Sequence, residues 1–463
     1  MNKNENNIII INKSDLNFVN FYKNKFKLNL NRVAFIFIII FIITILYSTR
    51  VIYLSSKTYQ NNNYKINKIS RADITDRYGE YISKTVFTTN VGIDPKLVKD
   101  KKKLLLKLQY TYPKKDFTEI KNKLFGKKFF YIEKKITPDN YKKIKLLGEK
   151  SIIIEQKITR IYPDKNLFAH VVGQIDEDNN GISGLEKSFD KKLKDGREIL
   201  TLTLDKNLQF IIRNELLKAQ KIFNNIGSAG ILMNINTGEI LSLVSLPDFN
   251  LNSREDISDD NYINRATKGI YELGSVFKSF TIAAGLNYGL VSPEDMFLNL
   301  EKKMKCGGRT ISEYDENLPN DLSVEDILIY SSNIGSVKIG QIVGKEKLKS
   351  FLEKIGLLDK LNFDIEEIGK PISFKWGKCK LKTVSYGHGI TTTLLQLAKA
   401  YSIITNGGFE ITPTLIKKEK KIKRKKILDK KVSEKILPIL RKIVTTKEGT
   451  ASLANVEGYE IGG

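Results

Sequence analysis

A serine and a lysine three residues apart, Ser275 and Lys278, open an apolar run in Tyr271-Glu-Leu-Gly-Ser-Val-Phe-Lys-Ser-Phe-Thr-Ile-Ala-Ala-Gly285. On a helix, positions i and i+3 share a face about one turn apart, so the lysine amine reaches the serine hydroxyl without help from distant chain. Val276, Phe277, Phe280 and Ile282 can desolvate that amine and lower its pKa, which makes it a base. The helix N-terminus expected at Ser275 favours developing negative charge. This chemistry is nucleophilic attack by an activated hydroxyl. Taken alone, the spacing recurs by chance in a lysine-rich chain, and an ordinary surface helix is the competing reading.

Other polar groups fall at suggestive places. Leu322-Ser-Val-Glu-Asp-Ile-Leu-Ile-Tyr330 reads as a helix with Ser323 as N-cap, and it ends in Ser331-Ser332-Asn333. A Ser-x-Asn turn offers a hydroxyl for proton relay and an amide to hold a carbonyl, although by itself it is common turn chemistry. Ser385-Tyr-Gly-His-Gly-Ile390 is a glycine-rich loop feeding an amphipathic helix. The chain has two histidines, His170 and His388. This disfavours a Ser-His-Asp triad and makes lysine the natural activator of Ser275. His388 reads as a loop or core residue.

The elements that must position these groups follow from periodicity. Leu200-Thr-Leu-Thr-Leu204 alternates as a strand, and Asp205 caps the helix after it. Apolar runs at 228–235 and 239–245 around Asn236-Thr-Gly238 read as a β-hairpin. Upstream, Arg71-Ala-Asp-Ile-Thr-Asp-Arg-Tyr-Gly79 reads as strand then turn, and Thr137-Pro138 as a helix start. Residues 1–32 are polar and basic and precede an apolar stretch at 33–54, long enough to cross a bilayer. The sequence after it lacks a small-residue cleavage site, so the stretch reads as an uncleaved anchor. The basic flank predicts a cytoplasmic N-terminus, with the bulk outside.

The 463 residues imply two to three domains. A formal charge of +25 invites a nucleic-acid reading. Lysine, isoleucine and asparagine are enriched throughout, however, which reads as compositional bias, and the expected topology also speaks against nucleic acid. The dense basic run from Lys417 to Lys431 reads as a solvated loop, with weak attraction to anionic polymers or headgroups as the speculative alternative. Cys306 and Cys379 make neither a disulfide framework nor a zinc cluster. Their pairing is left open, with separate thiols the favoured reading.

The motifs taken together resemble those of the class B penicillin-binding proteins, in particular the septal (FtsI-type) peptidoglycan D,D-transpeptidases. The resemblance runs from Val33 onward. It rests on Arg71–Gly79, Arg160-Ile-Tyr-Pro163, Ala169-His-Val-Val-Gly173, Gly181-Ile-Ser-Gly-Leu-Glu186, Asn264-Arg-Ala266, Gly274–Lys278, Ser331–Gly335, Gly387–Ile390 and Gly449–Tyr459. The Ser-x-x-Lys, Ser-x-Asn and Lys-Thr-Gly set is the signature of such enzymes.

The resemblance implies an α+β fold. It would comprise a cytoplasmic tail (1–32), a single N-terminal transmembrane helix (33–54) and a mixed α/β pedestal (55–200). A β-lactamase-like transpeptidase domain (201–463), an antiparallel sheet flanked by helices, would come next, incomplete at its C-terminus. By resemblance Ser275 is the nucleophile, Lys278 the base, Ser331 the proton relay and Asn333 the group that holds the donor peptide. Neither metal nor organic cofactor is implied. The implied partners are stem peptides and lipid-linked precursors, β-lactams as inhibitors, the inner membrane, and a multi-span glycan polymerase with other division proteins.

Two departures from the family pattern stand out. Leu273 replaces a common proline. The family's Lys-Thr-Gly strand would come after Gly463, so the chain as written is expected to be inactive or nearly so. A non-catalytic division scaffold, an elongation-type transpeptidase and a penicillin-sensing relative of β-lactamases are the competing readings.

Overall fold

The computed structural model describes residues 10–11, 16–19, 25–28, 30–61 and 71–463, save 114, 197, 254–257, 373–375, 378 and 419–423. Much of the basic tail, and part of the basic run at 417–431, therefore lie outside the described residues. The chain divides into two units, the first ending at Ile69.

In the first unit, short strands Ile10–Ile11, Leu16–Val19 and Lys25–Leu28 pair antiparallel, and the helix Leu30–Asn61 comes after them. Within it, Asn31–Leu54 is long and apolar enough to cross a membrane. Twenty-four residues at 1.5 Å each reach about 36 Å, more than the hydrocarbon thickness. Phe35, Phe37 and Phe41 are 62%, 68% and 67% exposed. A long apolar helix left uncovered by the other described residues is a candidate membrane span rather than a core helix.

The second unit begins with a ribbon. Strand Tyr81–Ile93 pairs antiparallel with Ile152–Ile161 along its length, from Lys84 opposite Ile161 to Ile93 opposite Ile152. Strand Phe130–Glu133 flanks its far end, and Ile74–Thr75 its near end. Helices Lys101–Thr111, Thr118–Phe125 and Pro138–Leu146 bury Leu104, Leu108, Leu124 and Ile144 against the far end. As expected, Thr137 caps the last of these, with Pro138 in its first turn, where no N–H is needed.

One carboxylate organises the near end. Glu186 is fully buried and receives Arg71 Nε at 2.5 Å and Arg160 Nε at 2.8 Å. Ser83 Oγ (3.1 Å) and Tyr162 OH (3.4 Å) donate to the same oxygen as Arg160. Three motifs far apart in sequence thus converge on one charge. Burial, and next the Glu186 carboxylate, push the Tyr162 hydroxyl pKa well up.

The alternation at 200–204 predicts a five-residue strand; the strand is only Leu200–Thr201, parallel to Ile74–Thr75. Leu202 makes a lone bridge to Ile416. The chain leaves one sheet for other partners there, so alternation persists where the ladder stops. Leu200, Leu202 and Ile74 share a core with Leu243, Phe249 and Leu395, which joins the pedestal to the C-terminal half of the chain.

Helix Lys206–Phe223, capped by Asp205, packs on the expected hairpin of Ser228–Met233 and Ile240–Leu246. The largest core surrounds helix Lys278–Asn287, in which every residue from Lys278 to Leu286 is buried. A helix covered all round belongs inside a protein, so the surface-helix reading of Ser-x-x-Lys fails.

Candidate active site

The nucleophile turn is built by its neighbours. Gly274–Phe277 is a 3-10 turn, closed when the Lys278 N–H donates to the Ser275 carbonyl, and the α-helix starts only at Lys278. Ser275 is thus on a tighter turn ahead of the helix and is solvent-exposed, while Lys278 is 1% exposed. Tyr401 OH donates to the Val276 carbonyl (2.9 Å) and lies 3.0 Å from Ser279 Oγ, bracing the turn from below. Its own pKa is pushed up to about 12 by burial. From the other side the Gly274 N–H donates to the Gly387 carbonyl at 3.2 Å. Gly387 has φ 89°, and a Cβ there would lie 1.9 Å from the Gly274 carbonyl oxygen. Only glycine lets the loop approach so closely. His388 in that loop is exposed, its ring 4.7 Å from that of Tyr386.

Lys278 meets Ser331. Its Nζ donates to the Ser331 carbonyl and lies 2.9 Å from Ser331 Oγ. Ser331 has φ 56°, the left-handed region, which turns carbonyl and hydroxyl onto the same amine. That conformation costs a non-glycine residue about 1 kcal/mol. Burial lowers the Lys278 pKa from 10.5 to about 8, against the opposing pull of the Glu313 charge. A neutral amine carries two N–H groups and one lone pair. With Ser331 able to take both N–H groups, the lone pair is left for another proton.

Glu313, unforeseen from the sequence, anchors the Ser-x-Asn turn. It is 8% exposed, and its carboxylate accepts from Ser332 Oγ (2.6 Å), Asn333 N (2.7 Å) and Ile334 N (2.9 Å). These amides are the unpaired donors at the start of helix Asn333–Val343, where a negative charge is also favoured by the helix dipole. Asn333 Nδ2 donates to the Ser312 carbonyl at 2.8 Å. Ser323 caps helix Val324–Ile329 through a capping box with Asp326, as its spacing predicts.

Glu313 comes directly after the hairpin Lys303–Cys306 and Arg309–Ser312. At the hairpin tip Cys306 forms a disulfide with Cys379, so the expectation of separate thiols is corrected. Seventy-three residues separate the two, too far for spacing to reveal that folding brings their Cα atoms to 5.7 Å. Among the described residues no cluster of metal-ligating side chains occurs.

The structure therefore brings Lys278 and Ser331 into contact, sets Ser275 one turn from Lys278, and fixes Asn333 two residues beyond Ser331. Residues 228–463 match the penicillin binding protein transpeptidase domain, and residues 66–221 the penicillin-binding protein dimerisation domain. The probable peptidoglycan D,D-transpeptidase FtsI of Caulobacter vibrioides is 30% identical over 403 residues, 85% of this chain and 68% of the relative. The peptidoglycan D,D-transpeptidase FtsI of Buchnera aphidicola is 27% identical, covering 91% of this chain and 81% of its own length. Stage V sporulation protein D of Bacillus subtilis is 28% identical, covering 85% and 68%. The apolar N-terminal helix fits the single-pass membrane anchor expected of such a protein. With both domains matched in order, the chain belongs to the penicillin-binding proteins, as a class B member of the FtsI type.

Proposed function

We propose that this protein is a serine D,D-transpeptidase that cross-links peptidoglycan stem peptides during septum synthesis. The observation that carries the reading is the buried Lys278 amine, held against Ser331 one turn from an exposed Ser275. Ser275 Oγ attacks the carbonyl of the penultimate D-Ala while its proton passes to the Lys278 lone pair. The C–N bond to the terminal D-Ala breaks, and its nitrogen takes a proton relayed by Ser331 Oγ. Asn333 holds the donor peptide's amide. The amine of a second stem peptide then attacks the acyl-enzyme ester, forming the cross-link amide and returning the proton to Ser275. A β-lactam acylates Ser275 by the same first step.

The septal role draws on the two FtsI relatives. Lipid-linked precursors, a multi-span glycan polymerase and other division proteins are the partners that role implies. Lys23, Lys25 and Lys27 before the span, with Arg32 at its very start, favour a cytoplasmic N-terminus, with the catalytic part on the outer face of the inner membrane. The test is labelling of the full-length gene product with a fluorescent penicillin, then peptide mapping. The label is expected on the peptide spanning 271–285 and absent from Ser275→Ala. Label elsewhere, or label surviving in Ser275→Ala, refutes the assignment. Depletion is expected to give filaments; round cells would speak for wall elongation instead.

A further inference from the structure

Two turns meet at Lys278, the Ser275 turn and the Ser331–Asn333 turn; each is held by its own wall, and the two walls are joined by a covalent bond outside the catalytic residues. On one side the hairpin 303–312 ends in Glu313, whose carboxylate takes the Ser332 hydroxyl and the Asn333 and Ile334 amides. On the other side Cys379 starts helix Lys380–Val384, which leads directly to the loop whose Gly387 carbonyl receives the Gly274 N–H. Thr281 Oγ1, on the nucleophile helix, donates to the Ser385 carbonyl of that loop at 2.8 Å. Cys306 and Cys379 tie the hairpin tip to the start of this second wall.

Apart from Asn333 Nδ2 on the Ser312 carbonyl and the exposed Lys303–Glu316 ion pair, few polar contacts mount the hairpin. Its two strands are four residues each and, among the described residues, pair only with one another. Ile311 is its buried apolar side chain, with Met304 and Cys306 partly buried beside the core. Two short strands alone are marginal in water. A carboxylate that must sit within hydrogen-bond distance of three donors needs a firmer mount than that, because a shift of about 1 Å at such a site costs about a hundredfold in rate.

We propose that the Cys306–Cys379 disulfide is a positioning device for acylation: it fixes the hairpin that delivers Glu313 to the Ser331–Asn333 turn, which in turn fixes Lys278. The proposal rests on Ser275 acylation only for its functional consequence; the structural link is separately measurable.

The test uses the full-length protein in three forms: oxidised, reduced with dithiothreitol, and Cys306→Ser/Cys379→Ser. Hydrogen exchange is read at the amides of Asn333 and Ile334, with strand Tyr81–Ile93 as the internal reference. Cutting the disulfide is expected to speed exchange at Asn333 and Ile334 about tenfold or more and to leave the reference strand unchanged. Unchanged exchange at 333–334 overturns the proposal. Faster exchange everywhere overturns it too, since the bond is then a general staple.

Acylation by fluorescent penicillin should fall about tenfold on reduction and recover on reoxidation. Glu313→Gln in the oxidised protein should lose a similar amount, and reducing that variant should cost no more than about twofold further, because both changes act through one contact. Independent, multiplying losses refute the route through Glu313. A protein that never labels at Ser275 refutes the functional reading, while the exchange data still decide the positioning claim.

Discussion

Lys278 makes the most exacting prediction, because one buried amine sets both a rate profile and a stability profile. Burial takes its pKa from 10.5 to about 8. At pH 7 about a tenth of such amines are neutral, about 300-fold more than for an unshifted lysine. The acylation rate constant should therefore climb close to tenfold per pH unit below pH 7 and level off above about pH 9, with a midpoint near 8. The assay is the rate of fluorescent-penicillin labelling at saturating reagent from about pH 6 to 9.5.

Stability carries the same signature. The folded pKa is depressed, so between about pH 8 and 10.5 the unfolded chain holds a proton that the folded chain has lost. Stability from this group therefore rises with pH across that window, and below it the folded state carries the whole penalty. The distance from 10.5 to about 8, at about 1.4 kcal/mol per pH unit, amounts to about 3 kcal/mol. Lys278→Met removes that penalty and also removes the contacts to Ser331, worth about 1 kcal/mol each. The variant should lose about 10²–10⁴-fold in acylation. It should nevertheless be about 1 kcal/mol more stable at pH 7, a gain that is lost at about pH 9 and turns into a deficit of about 2 kcal/mol as pH approaches 10.5, where only the lost Ser331 contacts count. A rate flat across the assayed pH range, or a stability difference that ignores pH, would refute the claim that desolvation governs this residue.

Two further substitutions test the frame around the site. Gly387→Ala would bring a methyl within 1.9 Å of the Gly274 carbonyl oxygen, so the nucleophile turn must move; acylation should drop by about a hundredfold, read by the same labelling assay. If Gly387→Ala labels at the wild-type rate, the loop does not set the turn. Glu186→Gln leaves Arg71 and Arg160 buried without their shared charge, which should cost about 3–5 kcal/mol and loosen the pedestal ribbon in hydrogen exchange. Wild-type protection of strand Tyr81–Ile93 in that variant would show that the charge is not what holds the ribbon.

Local chemistry was legible in the sequence because its causes are local. A long apolar run, broken only near Arg50, specifies the N-terminal span, the residues beside each helix specify its cap at Thr137, Asp205 and Ser323, and the Ser275–Lys278 spacing specifies a shared turn. Only the tertiary structure decided that Lys278 is buried, which is what makes it a base, and that Ser331, 53 residues on, turns its carbonyl and hydroxyl to that amine. Glu313, 20 residues before Asn333, left no sequence signal because a carboxylate reads as solvated until folding buries it. The same holds for Glu186, whose partner Arg71 lies 115 residues away, and for Cys306 and Cys379, 73 apart. Charge, burial and distance belong to the packed chain, and pattern along the backbone carries them only where the partners are neighbours.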